Sequence, residues 1–183
     1  MFSIGLIENS GGEAANYARF ENNYIFDPQF DIDCVLSVLM EICEILATYS
    51  NVKFRCSGFD LKWMVDVGTD LSTIIEDLPS AIENLKRSEN ASIYFFEQQT
   101  DRDIVFFGFK KEHCLAKCLK ISEGNSPRKE KIGVVEKLSL VPLIEELTIL
   151  FGDFIRIACI YCPTRSSNPH FVKWVDSYRH LFT

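Results

Sequence analysis

The stretch Ile93–Phe109, IYFFEQQTDRDIVFFGF, decides the fold class of this chain. Two runs dense in aromatic and β-branched residues enclose a polar hinge, EQQTDR (residues 97–102), which contains neither glycine nor proline. Such runs are typical of strands, and a short polar connection between two of them predicts an antiparallel hairpin. A third alternating run, Cys114–Ile121 (CLAKCLKI), extends the hairpin into a meander. The polar run Ser122–Lys131 then predicts a loop.

Around this meander, apolar residues recur at the i, i+3, i+4 spacing that is typical of helices. The predicted helices span Asp33–Tyr49, Leu71–Leu85, Leu138–Ile160 and Asn168–Leu181. Asp31 or Asp33 is positioned to cap the first helix, and Pro79 predicts a kink or a break in the second. Further strands are predicted at Phe2–Ile7, Tyr24–Phe26, Val52–Cys56 and Leu61–Val67. The sequence therefore predicts one α+β domain over residues 1–183, with an antiparallel or mixed sheet packed against about four helices.

The charge of the chain excludes some classes of ligand. The formal net charge is −7 and the pI is about 5.0, whereas binding to nucleic acid or to an anionic membrane needs a basic surface. The charge is also unevenly distributed: residues 1–109 hold 18 Asp and Glu against 7 Lys and Arg, a net of −11, and residues 110–183 hold 8 against 12, a net of +4. Such asymmetry favours a partner of opposite, basic charge.

No targeting or membrane segment is evident. No apolar run approaches the roughly 18–20 residues that cross a bilayer. The first residues, MFSIGLIENS, lack the basic region and cleavage site of a signal peptide. Seven cysteines, an odd number, fit a reducing compartment. We therefore expect a cytoplasmic protein.

The residue types that perform catalysis do not form a recognisable motif. Cys159 and Cys162 form a CxxC, but it closes a helix and has no second CxxC to complete a zinc site. His113 and the cysteines near it show no metal-ligand spacing, and no nucleotide-binding or nucleophile-elbow motif occurs. We expect no metal, no cofactor and no enzymatic activity. An enzyme with a dispersed site, using Glu97 with His113 or a cysteine, remains an alternative, although Glu97 more simply pairs with Arg102 across the hairpin.

Three segments resemble a known protein family. They lie within Trp63–Gly108, a span of about a quarter of the chain, and are WMVDV (residues 63–67), DLSTIIEDLP (residues 70–79) and the hairpin stretch. A fourth match is FVKWVDSY (residues 171–178). These segments resemble immunity proteins of bacterial polymorphic-toxin and contact-dependent inhibition systems. Glu97–Arg102 occupies the family's EQGxER stretch, with Gln99 where the family has glycine and Asp101 where it has glutamate. The missing glycine predicts a wider turn.

This resemblance implies an immunity protein that binds and neutralises a cognate protein toxin one to one. Together with the acidic charge, it predicts a basic, nuclease-type toxin. The residues expected to bind the toxin are Glu13, Glu21, Asp27, Asp31 and Asp33, the hairpin-tip carboxylates Glu97, Asp101 and Asp103, and the aromatic anchors Tyr17, Phe20, Tyr24 and Phe30. A non-catalytic adaptor that binds another basic protein is a further alternative.

Overall fold

The structure is a computed structural model that describes residues 1–8, 34–95, 102–121 and 129–182. Its strands are β1 (Ser3–Glu8), β2 (Val52–Ser57), β3 (Ala91–Phe95), β4 (Arg102–Lys110), β5 (His113–Ile121) and β6 (Lys129–Ser139). Its helices are α1 (Val35–Tyr49), α2 (Ser72–Lys86), α3 (Leu140–Tyr161), α4 (Pro163–Ser166) and α5 (Pro169–Ser177), with a π-helical turn at Val67–Leu71 and a 3₁₀ turn at Arg179–Phe182. The predicted α+β class is confirmed.

The opening hairpin forms half of a four-stranded antiparallel sheet in the order β3-β4-β5-β6. Ile93 lies opposite Ile104, and Val105 lies opposite Lys117. Because side chains alternate between the two faces of a strand, Ile104 and Phe106 are fully buried, whereas Val105 and Lys117 point to the other face and are half-buried. One face of this sheet therefore forms part of the core.

A second, two-stranded antiparallel sheet completes the β-structure of the described residues, with Ile4 of β1 opposite Cys56 of β2. Helix α3 packs against β1 and α2, and α1 packs against α2 and the π-helical turn. The core between these elements includes Phe151 and Phe154 of α3, both with no exposed surface. No helix in the described part of the chain combines the length and apolar character needed to span a membrane.

The two sheets meet where β6 bulges. Gly133 has a left-handed φ of +66°, and the pairing of β6 with β5 shifts at this point. The bulge brings the amide of Val134 to the carbonyl oxygen of Phe59, at 3.1 Å. The carboxylate of Glu136 accepts hydrogen bonds from the amides of Phe2 and Phe59. One strand of the large sheet thus holds the start of β1 and the turn after β2.

The structure corrects several local predictions. Leu61–Val67 is not a strand: it has no ladder partner among the described residues, and its last residue begins the π-helical turn. The loop predicted for Ser122–Lys131 is wrong at residues 129–131, which begin strand β6; this strand was not predicted, and it forms by pairing with β5. Helix α2 continues through Pro79 as one helix. The predicted strand Tyr24–Phe26 and the capping residues Asp31 and Asp33 lie outside the described residues.

Candidate functional site

Of the twelve residues predicted to bind a partner, one lies in the described part of the chain. The other eleven are Glu13, Tyr17, Phe20, Glu21, Tyr24, Asp27, Phe30, Asp31, Asp33, Glu97 and Asp101. Asp103 is described, and its predicted place at the hairpin tip is wrong. It lies inside β4, opposite Tyr94 and Leu119, and is 3% exposed. With so little exposed surface, Asp103 is not a solvent-facing charge.

Arg102, predicted to pair with Glu97, contacts the segment that follows β2. Its guanidinium carbon lies 4.9 Å from the centre of the Trp63 ring, and its Nη1 donates to the carbonyl oxygen of Lys62 at 3.2 Å. Trp63 also packs against Phe95, with ring centres 4.9 Å apart, and donates through its indole N–H to the carbonyl oxygen of Gly58. A guanidinium on an aromatic face is a stabilising cation–π contact. These contacts indicate a structural role for Arg102.

A buried carboxylate occupies the π-helical turn. Asp66 caps the turn by accepting from the amide of Thr69 at 2.7 Å, and Asp70 Oδ2 accepts from the amide of Asp66 at 3.0 Å. The Asp70 side chain has no exposed surface, and Oδ1 has no hydrogen-bond partner among the described residues. Burial raises the pKa of Asp70 to about 6; the Asp66 amide opposes this shift, and the Asp66 charge adds to it. Asp70 directly precedes the predicted helix Leu71–Leu85, and the sequence pattern does not indicate that it is buried.

We expect Asp70 to make stability pH-dependent. Its pKa is higher in the folded chain, about 6, than its ordinary value of 3.8, so folding favours the protonated form. The stabilisation is therefore complete below about pH 4 and is lost as pH rises through about 6. Between these limits, the free energy of unfolding of the wild type should fall by up to about 3 kcal/mol relative to that of Asp70→Asn, because one pKa unit corresponds to about 1.4 kcal/mol. Urea unfolding at a series of pH values measures this difference.

The control for this experiment is Asp176→Asn, which neutralises an exposed carboxylate on α5. Its stability difference from the wild type should change by less than about 1 kcal/mol over the same pH range, because exposed ion pairs are weak. If the stability difference between Asp70→Asn and the wild type also changed little with pH, the proposed effect of burying this carboxylate would be wrong.

A polar groove lies between α2 and the edge strand β3 and has a volume of about 400 Å³. Its polar lining consists of Asp77, Ser80, Asn84, Asn90, Ser92 and Asp103, and its apolar lining of Ala81, Ala91 and Val105. The small side chains Ala91 and Ser92 allow the groove to cross β3 and reach β4. No lysine or arginine lines it. The groove thus presents hydrogen-bonding groups and the exposed carboxylate of Asp77 to solvent, whereas the Asp103 carboxylate is buried.

The surface of α2 beside this groove carries negative charge. Asp77 is exposed, and Glu76 next to it is half-buried. Burial raises the pKa of Glu76, and the negative charge of Asp77 raises it further. Arg87, at the end of the helix, donates to Asn84 Oδ1 at 2.6 Å and to Glu89 Oε2 at 2.9 Å. The positive charge of Arg87 is therefore partly balanced by the carboxylate of Glu89, which does not line the groove.

Burial disfavours nucleophilic chemistry at the two thiols of β5. Burial raises the pKa of Cys114, next to His113, and burial also raises the pKa of Cys118 to about 11. A thiol with a raised pKa is protonated at neutral pH and is a weak nucleophile. In the CxxC at the end of α3, Cys159 is exposed and Cys162 is buried. Within residues 1–8, 34–95, 102–121 and 129–182, no three His, Cys, Asp or Glu residues are grouped to hold a metal ion.

Comparison with protein-family models, with curated proteins and with solved structures gave no match for this chain. The groove between α2 and β3, with the acidic surface of α2 beside it, is therefore identified as the candidate site from its geometry and charge alone.

Proposed function

We propose that this chain is an immunity protein, which binds a basic protein toxin one to one in the cytoplasm and so blocks its activity. The observation that carries the proposal is the uneven charge, a net of −11 over residues 1–109 against +4 over residues 110–183. The resemblance of WMVDV, DLSTIIEDLP and the hairpin stretch to immunity proteins of bacterial toxin systems supports the same class of partner.

The acidic surface of α2 supports this proposal within the described residues. The pKa of Glu76 is raised in part by the negative charge of the neighbouring Asp77. A cation that approaches this pair is attracted by both charges. Such a field accelerates encounter with a basic partner over distances of about a Debye length, roughly 10 Å at 0.1 M salt. The binding affinity then comes from side chains that are buried away from water at the centre of the interface.

A nuclease is the class of toxin that fits this mechanism. An enzyme that cleaves nucleic acid presents a basic surface to phosphate. An acidic protein that covers this surface excludes the substrate and places carboxylates where phosphates bind. This inhibition needs no catalytic residue in the immunity protein.

The test is capture of the partner from the native host with the tagged chain. We expect one basic protein in equimolar amount, and its association rate should fall at least about tenfold between roughly 50 mM and 300 mM salt, because screening weakens steering. Stopped-flow mixing of the two purified proteins measures this rate. A partner that associates at the same rate at both salt concentrations contradicts electrostatic neutralisation.

Co-expression separates an immunity protein from an adaptor. Expression of the captured partner alone should arrest growth of a host cell, and co-expression of this chain should restore growth. A captured partner that is harmless alone favours the adaptor alternative. Capture of no basic protein contradicts both.

A further inference from the structure

The turn after β2 holds two adjacent non-glycine residues in the left-handed region. Phe59 has a φ of +60° and Asp60 has a φ of +54°. This conformation costs energy for any residue with a Cβ, and it is an outlier for a side chain as bulky as phenylalanine. Such residues persist only where the surrounding structure holds them, and they cluster at switch regions. The contacts that hold this turn therefore indicate what moves when it is released.

The chain at the start of β1 packs directly on the turn. A Cβ on Gly58 would lie 2.6 Å from the Cα atom of Phe2, so the two backbones are in contact at this point. The ring of Phe2 packs against the ring of Phe59, with centres 5.7 Å apart, and against the fully buried ring of Phe106, with centres 5.9 Å apart. Displacement of the start of β1 therefore uncovers the aromatic side of the turn.

Carboxylates hold both segments through their backbone amides. Glu136 of β6 accepts one hydrogen bond from the amide of Phe2 and another from the amide of Phe59. Glu146 of α3 accepts from the amide of Ile4, at 2.8 Å. Hydrogen bonds to an ionised acceptor are roughly twice as strong as bonds between neutral groups. Because Glu136 bonds to both segments, the loss of one segment removes part of the support for the other.

We propose that residues 2–4 and 58–60 form a latch, which opens as one unit while the rest of the chain stays folded. When the start of β1 lifts away, the turn loses its aromatic and carboxylate contacts, and its left-handed residues relax. The strain in the turn favours opening, and the carboxylates of Glu136 and Glu146 oppose it. A ligand or protein that binds the uncovered rings shifts the latch toward its open form. Opening itself needs no partner, so the latch is independent of the proposed function.

The first test adds strain at the turn and measures opening at the start of β1. Asp60→Val places a β-branched residue at an exposed left-handed position, where it should favour the open latch about tenfold. Amide hydrogen exchange of the ¹⁵N-labelled full chain is followed by NMR, under conditions where the rate reports the opening equilibrium. The amides of Phe2 and Ile4 should exchange about tenfold faster than in the wild type. Asp60→Asn, which has the same size and tolerates a left-handed φ, should leave both rates unchanged.

The matched control is Ser88→Val, at another exposed left-handed residue, which has a φ of +57° and lies at the end of α2. This variant destabilises the whole folded chain but not the closed latch, so the Phe2 and Ile4 amides should keep their wild-type rates. The amide of Ile42, buried in α1, exchanges on global unfolding and should become faster in both variants.

The two valine variants together decide whether the latch exists. Faster exchange at Phe2 and Ile4 in Asp60→Val alone supports it. Equal acceleration of these two amides in Asp60→Val and Ser88→Val would mean that β1 opens only with the whole chain. Wild-type rates in Asp60→Val would mean that β1 opens without the turn. Either of these last two results overturns the proposal.

The second test perturbs β1 and measures opening at the turn. Glu146→Ala removes the acceptor of the Ile4 amide, whereas Glu145→Ala removes an exposed carboxylate from the same helix. Because coupling between two sites is reciprocal, Glu146→Ala should raise the exchange rates of the Phe2 and Phe59 amides by the same factor, about tenfold. Glu145→Ala should raise neither rate. A Phe59 amide that keeps its wild-type exchange rate in Glu146→Ala overturns the proposal.

Discussion

Gly133→Ala is expected to lower the free energy of unfolding by about 3 kcal/mol or more, one of the larger effects a single methyl group can have. The φ of +66° at Gly133 is left-handed, a conformation that costs energy for any residue with a Cβ. A Cβ at this position would also lie 2.1 Å from the carbonyl oxygen of Phe59, far inside van der Waals contact. Because that oxygen accepts from the Val134 amide, the substitution forces β6 away from the Phe59 turn. Equilibrium unfolding in urea measures the loss.

The matched control is Gly5→Ala in β1, where a Cβ meets nothing within 4 Å. Its free energy of unfolding should change by no more than about 1 kcal/mol, because a strand residue with open space above it accepts a methyl group. Equal stability of Gly133→Ala and Gly5→Ala would show that the β6 bulge does not hold the two sheets together.

Glu41→Ala is expected to cost about 3 kcal/mol, because it removes one partner of a largely buried ion pair. Glu41 of α1 is 7% exposed, and its Oε2 lies 3.2 Å from Nε of Arg165 in α4. The variant leaves the guanidinium of Arg165 beside an apolar core without this carboxylate. Urea unfolding at pH 7 gives the magnitude.

Two comparisons identify the cause of this loss. The double variant Glu41→Met/Arg165→Met should recover most of the stability, since replacing a buried pair with apolar side chains is often neutral. Glu89→Ala removes an exposed pair with Arg87, in which both side chains are more than half exposed, and should cost less than about 1 kcal/mol. A double variant as unstable as Glu41→Ala would indicate that lost packing, not the loss of this ion pair, explains the effect.

Most of the secondary structure was predictable because its signals are local. The alternation in Cys114–Ile121 and the periodicity before Tyr49 each reflect one side of an element facing the core, and β5 and α1 form there. Leu61–Val67 alternates in the same way, yet no strand pairs with it in the described structure. A strand needs a partner, and alternation alone does not show whether one is present.

The candidate site was less predictable. Asp77 lies inside the predicted helix Leu71–Leu85, and the structure shows it exposed. Its position across a groove from Asn90 and Ser92 depends on how α2 packs against β3. Asp103 was assigned to the hairpin tip from its position in the chain, but it lies inside β4, between β3 and β5, and is buried.

The sequence by itself determined the α+β class, the strands and helices with clear periodicity, and the separation of acidic from basic charge along the chain. The tertiary structure alone decided the division into two sheets, the bulge at Gly133 that joins them, the burial of Asp70 and Asp103, and the groove beside β3. The physical reason is the range of the interactions. Periodicity records which side of one element is apolar, whereas pairing, burial and grooves depend on contacts between residues far apart in the chain.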